Sequence, residues 1–169
     1  MDAYECIVGR VEVREFTGEP VPEETIRRIL EAGRMAPSQR NRQPWHFILV
    51  QDRALLRQLA EAAPTGPYIA NAAFAVVIAM DGAKMPQIDG ARAAQTMQLA
   101  GWAEGLGSCW VSGLDRDRIK ELLRMPLAME VITVLPFGRP TPAARAVRKR
   151  RKPLAAIAHR NQFMTPYGG

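Results

Sequence analysis

A chain of 169 residues, 47% hydrophobic and 24% charged, has the length and balance of one globular domain with a real core. It holds no apolar run of about 18 residues, so no membrane span is expected. Its first residues are acidic and lack a basic region followed by an apolar core, so no secretory signal is expected. The net charge is +6, and six of the 23 basic residues lie in 145–152, R-A-V-R-K-R-R-K. Such a run can meet nucleic acid, a membrane surface or a phosphate, or it can be a solvated segment. Cys6 and Cys109 show neither metal-ligand spacing nor a disulfide framework, so a cytoplasmic location is expected.

Residues 2–9 predict a short helix with Tyr4, Ile7 and Val8 on one side. Arg10 and Arg14 follow, four apart, with Phe16 as an apolar anchor. They form an anion clamp if the segment is ordered, and two solvated charges if it is not. Pro22, Glu23 and Glu24 open a second helix, with Pro at its first position and acids at its positive end. Ile26, Ile29, Leu30 and Gly33 give that helix one inward face, and Pro37 stops it.

Residues 37–43 then gather two arginines, amide side chains and a hydroxyl. Pro44 is expected to hold Gln43 in extended backbone. Over 45–50 every residue except His46 is apolar, which predicts a strand buried on both faces. A polar loop on a rigid strand is a place to meet a ligand. It can also be a plain solvated loop that carries arginine.

Asp52 caps the next helix, which turns Leu55, Leu56, Leu59 and Ala63 inward. P-T-G-P at 64–67 is a loop. A-F-A-V-V-I-A-M at 73–80 predicts a strand covered on both faces. After a short connection, 81–87, a helix runs over about 88–104 and is apolar almost all round from Ala93. In a domain this small the cheapest cover for it is another subunit.

The stretch 105–113, G-L-G-S-C-W-V-S-G, holds glycines that let backbone turn tightly or approach a ligand, or that simply stop the helix. It follows a helix and lacks a third spaced glycine, so it is not a dinucleotide fingerprint. Cys109 has no base beside it and reads as a small strand residue. A helix from Asp115 to about residue 124 turns Ile119, Leu122 and Leu123 inward. A last core strand over 131–137 is expected to break near Pro136, before a turn at 138–140. No Ser/His/Asp or paired-carboxylate constellation is present, and His46 and His159 lack evident partners.

In this order the segments resemble the nitroreductase family. P-S-x-x-N-x-Q-P-W-x-F at 37–47 is similar to its FMN-contacting loop and strand. Arg10, Arg14 and Phe16 match its R-R-S-x-R-x-F, with Val11 where Arg is usual and Glu12 where Ser is usual. Asp89, Ala93, Gln95, Leu99 and Ala100 match its dimer-core helix. Residues 105–113 resemble the segment that leads to the reactive edge of the flavin. Residues 149–154, K-R-R-K-P-L, resemble the part that sets Lys and Arg on the flavin phosphate.

The resemblance covers nearly the whole chain. It implies an α+β fold over a single domain, 1–169, with a mixed, mainly antiparallel sheet of about four strands flanked by helices. It implies an intertwined homodimer with FMN at the subunit interface and a C-terminal arm, 155–169, crossing onto the partner. The implied FMN residues are Arg10, Val11, Glu12, Arg14, Ser38, Gln39, Asn41, Val111, Ser112, Gly113, Lys149 and Arg151. Arg151 is the best match to the phosphate. Val11 and Glu12 contribute through backbone, because a Glu12 carboxylate repels a phosphate unless it points away or pairs with an arginine.

No side chain or metal is expected to be catalytic, since the flavin carries the chemistry. The implied activity is ping-pong reduction of a nitroaromatic, a quinone or a related small acceptor by NAD(P)H. Larger members cover the flavin with an insertion for which 81–87 has no room. That leaves a flavin-dependent relative with other chemistry as the alternative: flavin fragmentation, or dehydrogenation of a biosynthetic intermediate. A nucleic-acid-binding protein using 145–152 is the reading from another class, but that run lacks interleaved aromatics and any binding module. Neither nucleic acid nor a membrane is an expected partner.

Overall fold

The computed structural model describes residues 1–168; Gly169, the last residue of the expected arm, lies outside them. The sheet has four strands: β1 (Trp45–Val50), β2 (Phe74–Met80), β3 (Gly107–Ser108) and β4 (Glu130–Gly138). Their spatial order is β1-β2-β4-β3, and every strand pair is antiparallel. The helices are α1 (Ala3–Gly9), α2 (Glu23–Arg34), α3 (Arg53–Glu61), α4 (Pro86–Ala103), α5 (Arg116–Leu122) and the single turn α6 (Pro142–Arg145). The expected α+β architecture is the observed one. Among the described residues no helix is long and apolar enough to cross a membrane.

Local chemistry explains several helix ends. Asp2 and Glu5 close a capping box on α1. Asp52 accepts from the Leu55 amide at 2.8 Å, and Asp115 from the Arg118 amide at 3.0 Å. Pro22 and Asp115 are caps rather than first helical residues. Gly105, at φ +80°, stops α4: Leu106 N reaches Gly101 O and Gly105 N reaches Trp102 O.

β2 is buried throughout, as its unbroken apolar run requires. Its alternate residues feed two cores. Phe74, Val76 and Ile78 meet α2 and α4 on one face. Ala75 and Val77 meet α3 and α5 on the other.

Four expectations need correction. β1 is an edge strand, not one buried on both faces: Trp45 and Val50 are buried, His46 is exposed and the rest are half-covered. Pro136 does not break β4 but pairs opposite Ala75. Val134 O accepts from Val111 N, so position 136, two residues on, faces the same side. There the irregular stretch 109–110 asks for no ladder donor. On α1 the inward residue is Cys6, while Tyr4, Ile7 and Val8 are exposed. The apolar girth of α4 is covered largely by its own chain. A Cβ on Gly33 of α2 would lie 2.1 Å from Met97 Cε, and one on Gly101 would lie 2.9 Å from Phe137 Cε1. These glycines let α2 and β4 close on α4, so its intrachain contacts use surface that composition alone assigned to a partner.

Candidate functional site

Residues 10–14 leave α1 and run beside β3. Glu12 bridges to Ser108, and Val13 N donates to Ser108 O at 2.9 Å. Gly107 allows this approach, because a Cβ there would lie 2.6 Å from Val13 Cβ. From the far end of the chain, residues 147–151 return to the same place. Lys149 Nζ donates to the Ile7 carbonyl, near the end of α1 and 142 residues away in sequence.

The two segments enclose a cleft of about 240 Å³. Residues 148–151, all cationic, line it together with Arg10 and Arg14, and Glu12 is the one side-chain carboxylate among the described residues that line it. The structure therefore brings together Arg10, Val11, Glu12, Arg14, Lys149 and Arg151. Burial lowers the Lys149 pKa first, and the neighbouring charges of Arg10 and Arg151 lower it further. A bound anion relieves that repulsion. Guanidinium forks and an ammonium converging from distant segments are the donor set a phosphomonoester takes, so these residues fit the phosphate end of FMN.

Glu12 does not stand bare in this cleft. Its Oε1 lies 2.7 Å from Arg10 Nη1, and its Oε2 accepts from Trp110 N at 3.0 Å. Val11 is buried against Cys6, Val13 and Trp102, so its side chain belongs to the core. The Arg14 guanidinium sits 5.9 Å from the centre of the Tyr68 ring. Tyr68 OH donates to Cys109 Sγ at 3.3 Å, and burial followed by that bond pushes the phenol up to about 12. Burial also raises the Cys109 thiol. Cys109 is thus a protonated packing residue at neutral pH rather than a nucleophile.

Ser38, Gln39 and Asn41 sit elsewhere, against the first turn of α4. Gln39 N donates to both Asp89 carboxylate oxygens, at 3.1 and 3.2 Å, and Asp89 is only 2% exposed. Ser38 Oγ accepts from Gln43 N at 2.8 Å. Between these anchors Arg40, Asn41 and Gln43 adopt φ of +53°, +55° and +52°. Gln43 is therefore left-handed, not extended as Pro44 suggested. Its amide is held by Ser38 and its side chain by Asn41 O, and these bonds override the preference of a residue before proline. Three non-glycine residues in this region mark a conformation that the surroundings impose. The family resemblance places Asp89 in the dimer-core helix and gives it no partner; its signal in the sequence is a lone acid in the first turn of α4.

Val111 is buried, with its N bonded to Val134 O and its O accepting from Thr133 Oγ1 at 3.0 Å. Gly113 N donates to Thr65 Oγ1 at 3.0 Å, and a Cβ on Gly113 would lie 2.6 Å from Thr65 Cγ2. Of the three expected ring-side residues, only Ser112 has an N–H without an acceptor among the described residues. Ser112 is exposed and, with Trp110, Gln87 and Arg116, lines a second cavity of about 210 Å³. Sequence reasoning missed Thr65, Tyr68 and the Trp110 amide, none of which carries a motif signal.

The model of the nitroreductase family matches residues 7–139. A relative from Archaeoglobus fulgidus, named NADH dehydrogenase/NAD(P)H nitroreductase, is 33% identical over 149 residues, covering 82% of this chain and 86% of that one. A crystal structure from Bacteroides thetaiotaomicron with the same description superposes with TM-score 0.88 at 29% identity, covering 95% of this chain and 98% of that one. A structure from Clostridium difficile described as an FMN-dependent nitroreductase gives TM-score 0.86 at 25% identity, covering 95% of this chain and 99% of that one.

Proposed function

Because the chain belongs to the nitroreductase family, we propose that it is an FMN-dependent oxidoreductase that spends NAD(P)H on a small acceptor such as a nitroaromatic or a quinone. The observation that carries this reading is the cationic cleft where residues 148–151 converge on Arg10 and Arg14. The FMN-dependent description of the Clostridium difficile structure and the NAD(P)H in the name of the Archaeoglobus relative support it.

In this reading Arg10, Arg14, Lys149 and Arg151 take the phosphate. The Val11 and Glu12 backbone passes beside it. Ser38, Gln39 and Asn41, on the strained loop, and residues 111–113 approach the ring. The flavin, when bound, supplies the two-electron chemistry between nicotinamide and acceptor. The chain binds and orients it and lends no nucleophile: Cys109 is buried and its thiol pKa is raised.

A homodimer belongs to the same reading. Leu154, Ile157, Phe163 and Tyr167 of the tail are exposed. Ile88 and Ala91 of α4 line an open apolar cleft with Pro37. Surface of this kind asks for a partner. A cytoplasmic location also belongs to it, since Cys6 and Cys109 are both free.

The connection before α4 spans only residues 81–85, which favours an uncovered site. That feature keeps the second reading in view, a flavin-dependent enzyme of other chemistry. The fold of 148–151 against Arg10 supports a phosphate over nucleic acid as the anion. Heat release and chromatography identify any bound flavin. A purified chain with no flavin and no uptake of FMN refutes the proposal. With NADPH and acceptor varied, parallel double-reciprocal lines are expected; a bound flavin that neither NADH nor NADPH reduces selects the second reading.

A further inference from the structure

We propose that Glu12 is a positioning residue that aims Arg10 and ties the phosphate end of the site to the backbone leading to Ser112. The inference rests on the FMN reading above. One carboxylate spans two segments 98 residues apart, with Arg10 Nη1 at 2.7 Å and Trp110 N at 3.0 Å. Both are charge-assisted contacts of ordinary strong geometry. The Arg10 side chain is only 13% exposed, and its Nη1 also reaches Val11 O at 3.3 Å. Its Nε and Nη2 have no acceptor among the described residues, so they remain for a ligand.

Residue 12 is the place where the family resemblance sets a serine that touches the flavin. Here that side chain is already committed on both oxygens. Its charge has a second effect. Residues 148–151, Arg10 and Arg14 crowd one small cleft, where burial first, and then the charges of Arg10 and Arg151, lower the Lys149 pKa. A carboxylate paired to Arg10 lets these cations converge before any anion arrives. Arg10 then meets the phosphate with its rotamer already set, and a pre-ordered donor loses less freedom on binding.

The test is titration of the flavin-free protein with FMN and with riboflavin, which lacks the phosphate, followed by flavin fluorescence. The chains compared are the parent, Glu12→Ala, Glu12→Gln, Arg10→Ala and the Arg10→Ala/Glu12→Ala double variant. Glu12→Ala and Arg10→Ala should each weaken FMN about tenfold or more, and the double variant should be no weaker than the worse single one within about twofold. Riboflavin should change much less. Glu12→Gln keeps an acceptor for Trp110 N without the charge and should fall between parent and Glu12→Ala. Unchanged or tighter FMN binding by both Glu12 variants overturns the inference, as do single effects that multiply. Equal losses for FMN and riboflavin mean a general structural role and overturn it too. If Glu12→Ala does not fold, Glu12→Gln against Arg10→Ala decides. A parent that binds neither flavin refutes the function reading and this inference together. A parent that binds FMN while the variants behave otherwise refutes this inference alone.

Discussion

Replacing Asp89 tests whether the left-handed loop is imposed from outside. The carboxylate is 2% exposed and accepts the Gln39 amide through both oxygens. A hydrogen bond to a charged group contributes about 1.5–3 kcal/mol. The Arg92 contact, at 3.5 Å with Arg92 about half exposed, adds a few tenths at most. Alanine gains roughly 0.5 kcal/mol of helix propensity and loses about as much interaction with the helix dipole, so those changes cancel. Arg40, Asn41 and Gln43, each near φ +53°, hold strain of about 1 kcal/mol or more apiece. Part of that strain relaxes once the anchor is gone. The net expectation for Asp89→Ala is therefore about 2 kcal/mol of lost stability, or roughly 4–8 °C in thermal midpoint for a chain of this size.

Asp89→Asn keeps one acceptor oxygen and should lose about half as much. Thermal unfolding of the flavin-free protein measures the loss, and hydrogen exchange at the Gln39 amide locates it. Exchange there should quicken in Asp89→Ala while amides of β2 stay protected. An Asp89→Ala protein with an unchanged midpoint and unchanged Gln39 exchange would show that the loop holds its own conformation, and the reasoning would fail.

Arg151→Ala should weaken FMN binding by about 2 kcal/mol, and Arg145→Ala should barely change it. Arg145 stacks 5.5 Å over Trp102 and does not line the cationic cleft; equal losses in equilibrium titration refute the placement. Ala91→Glu sets a charge in the open apolar cleft of α4 and should convert dimer to monomer in light scattering, with a monomeric parent at micromolar concentration as the contrary result. It is a cleaner probe than Ala100, which packs on the chain's own core. The Tyr68 phenol is raised from 10.0 to about 12 in the fold. The neutral phenol is thus favoured in the folded state, and its stabilisation is full below pH 10 and lost as pH rises towards 12. Tyr68→Phe should flatten that alkaline fall in denaturant midpoint; an identical pH profile contradicts the shift.

Elements whose causes lie within a few residues were legible without coordinates. Asp52 reads as a helix cap from the sequence alone, and it caps α3 through a bond three residues away. The β2 run is apolar at every position because helices cover both its faces, and that pattern is local. For Arg10, Arg14, Lys149 and Arg151 the residues alone left solvated charges as an equal reading; the family resemblance grouped them, and in the fold they line one cleft. What the tertiary structure decided depends on partners far along the chain. An apolar run does not say whether it is central or at an edge, and β1 is an edge strand because only β2 pairs with it. Gln43 obeys Ser38 rather than its neighbour Pro44. The Glu12 carboxylate is held by Arg10 and by the Trp110 amide, 98 residues away. Asp89 reaches back 50 residues to anchor Gln39. Hydrogen bonds are short-ranged in space but not in sequence, and residue order alone does not report which distant groups folding brings within 3 Å of each other.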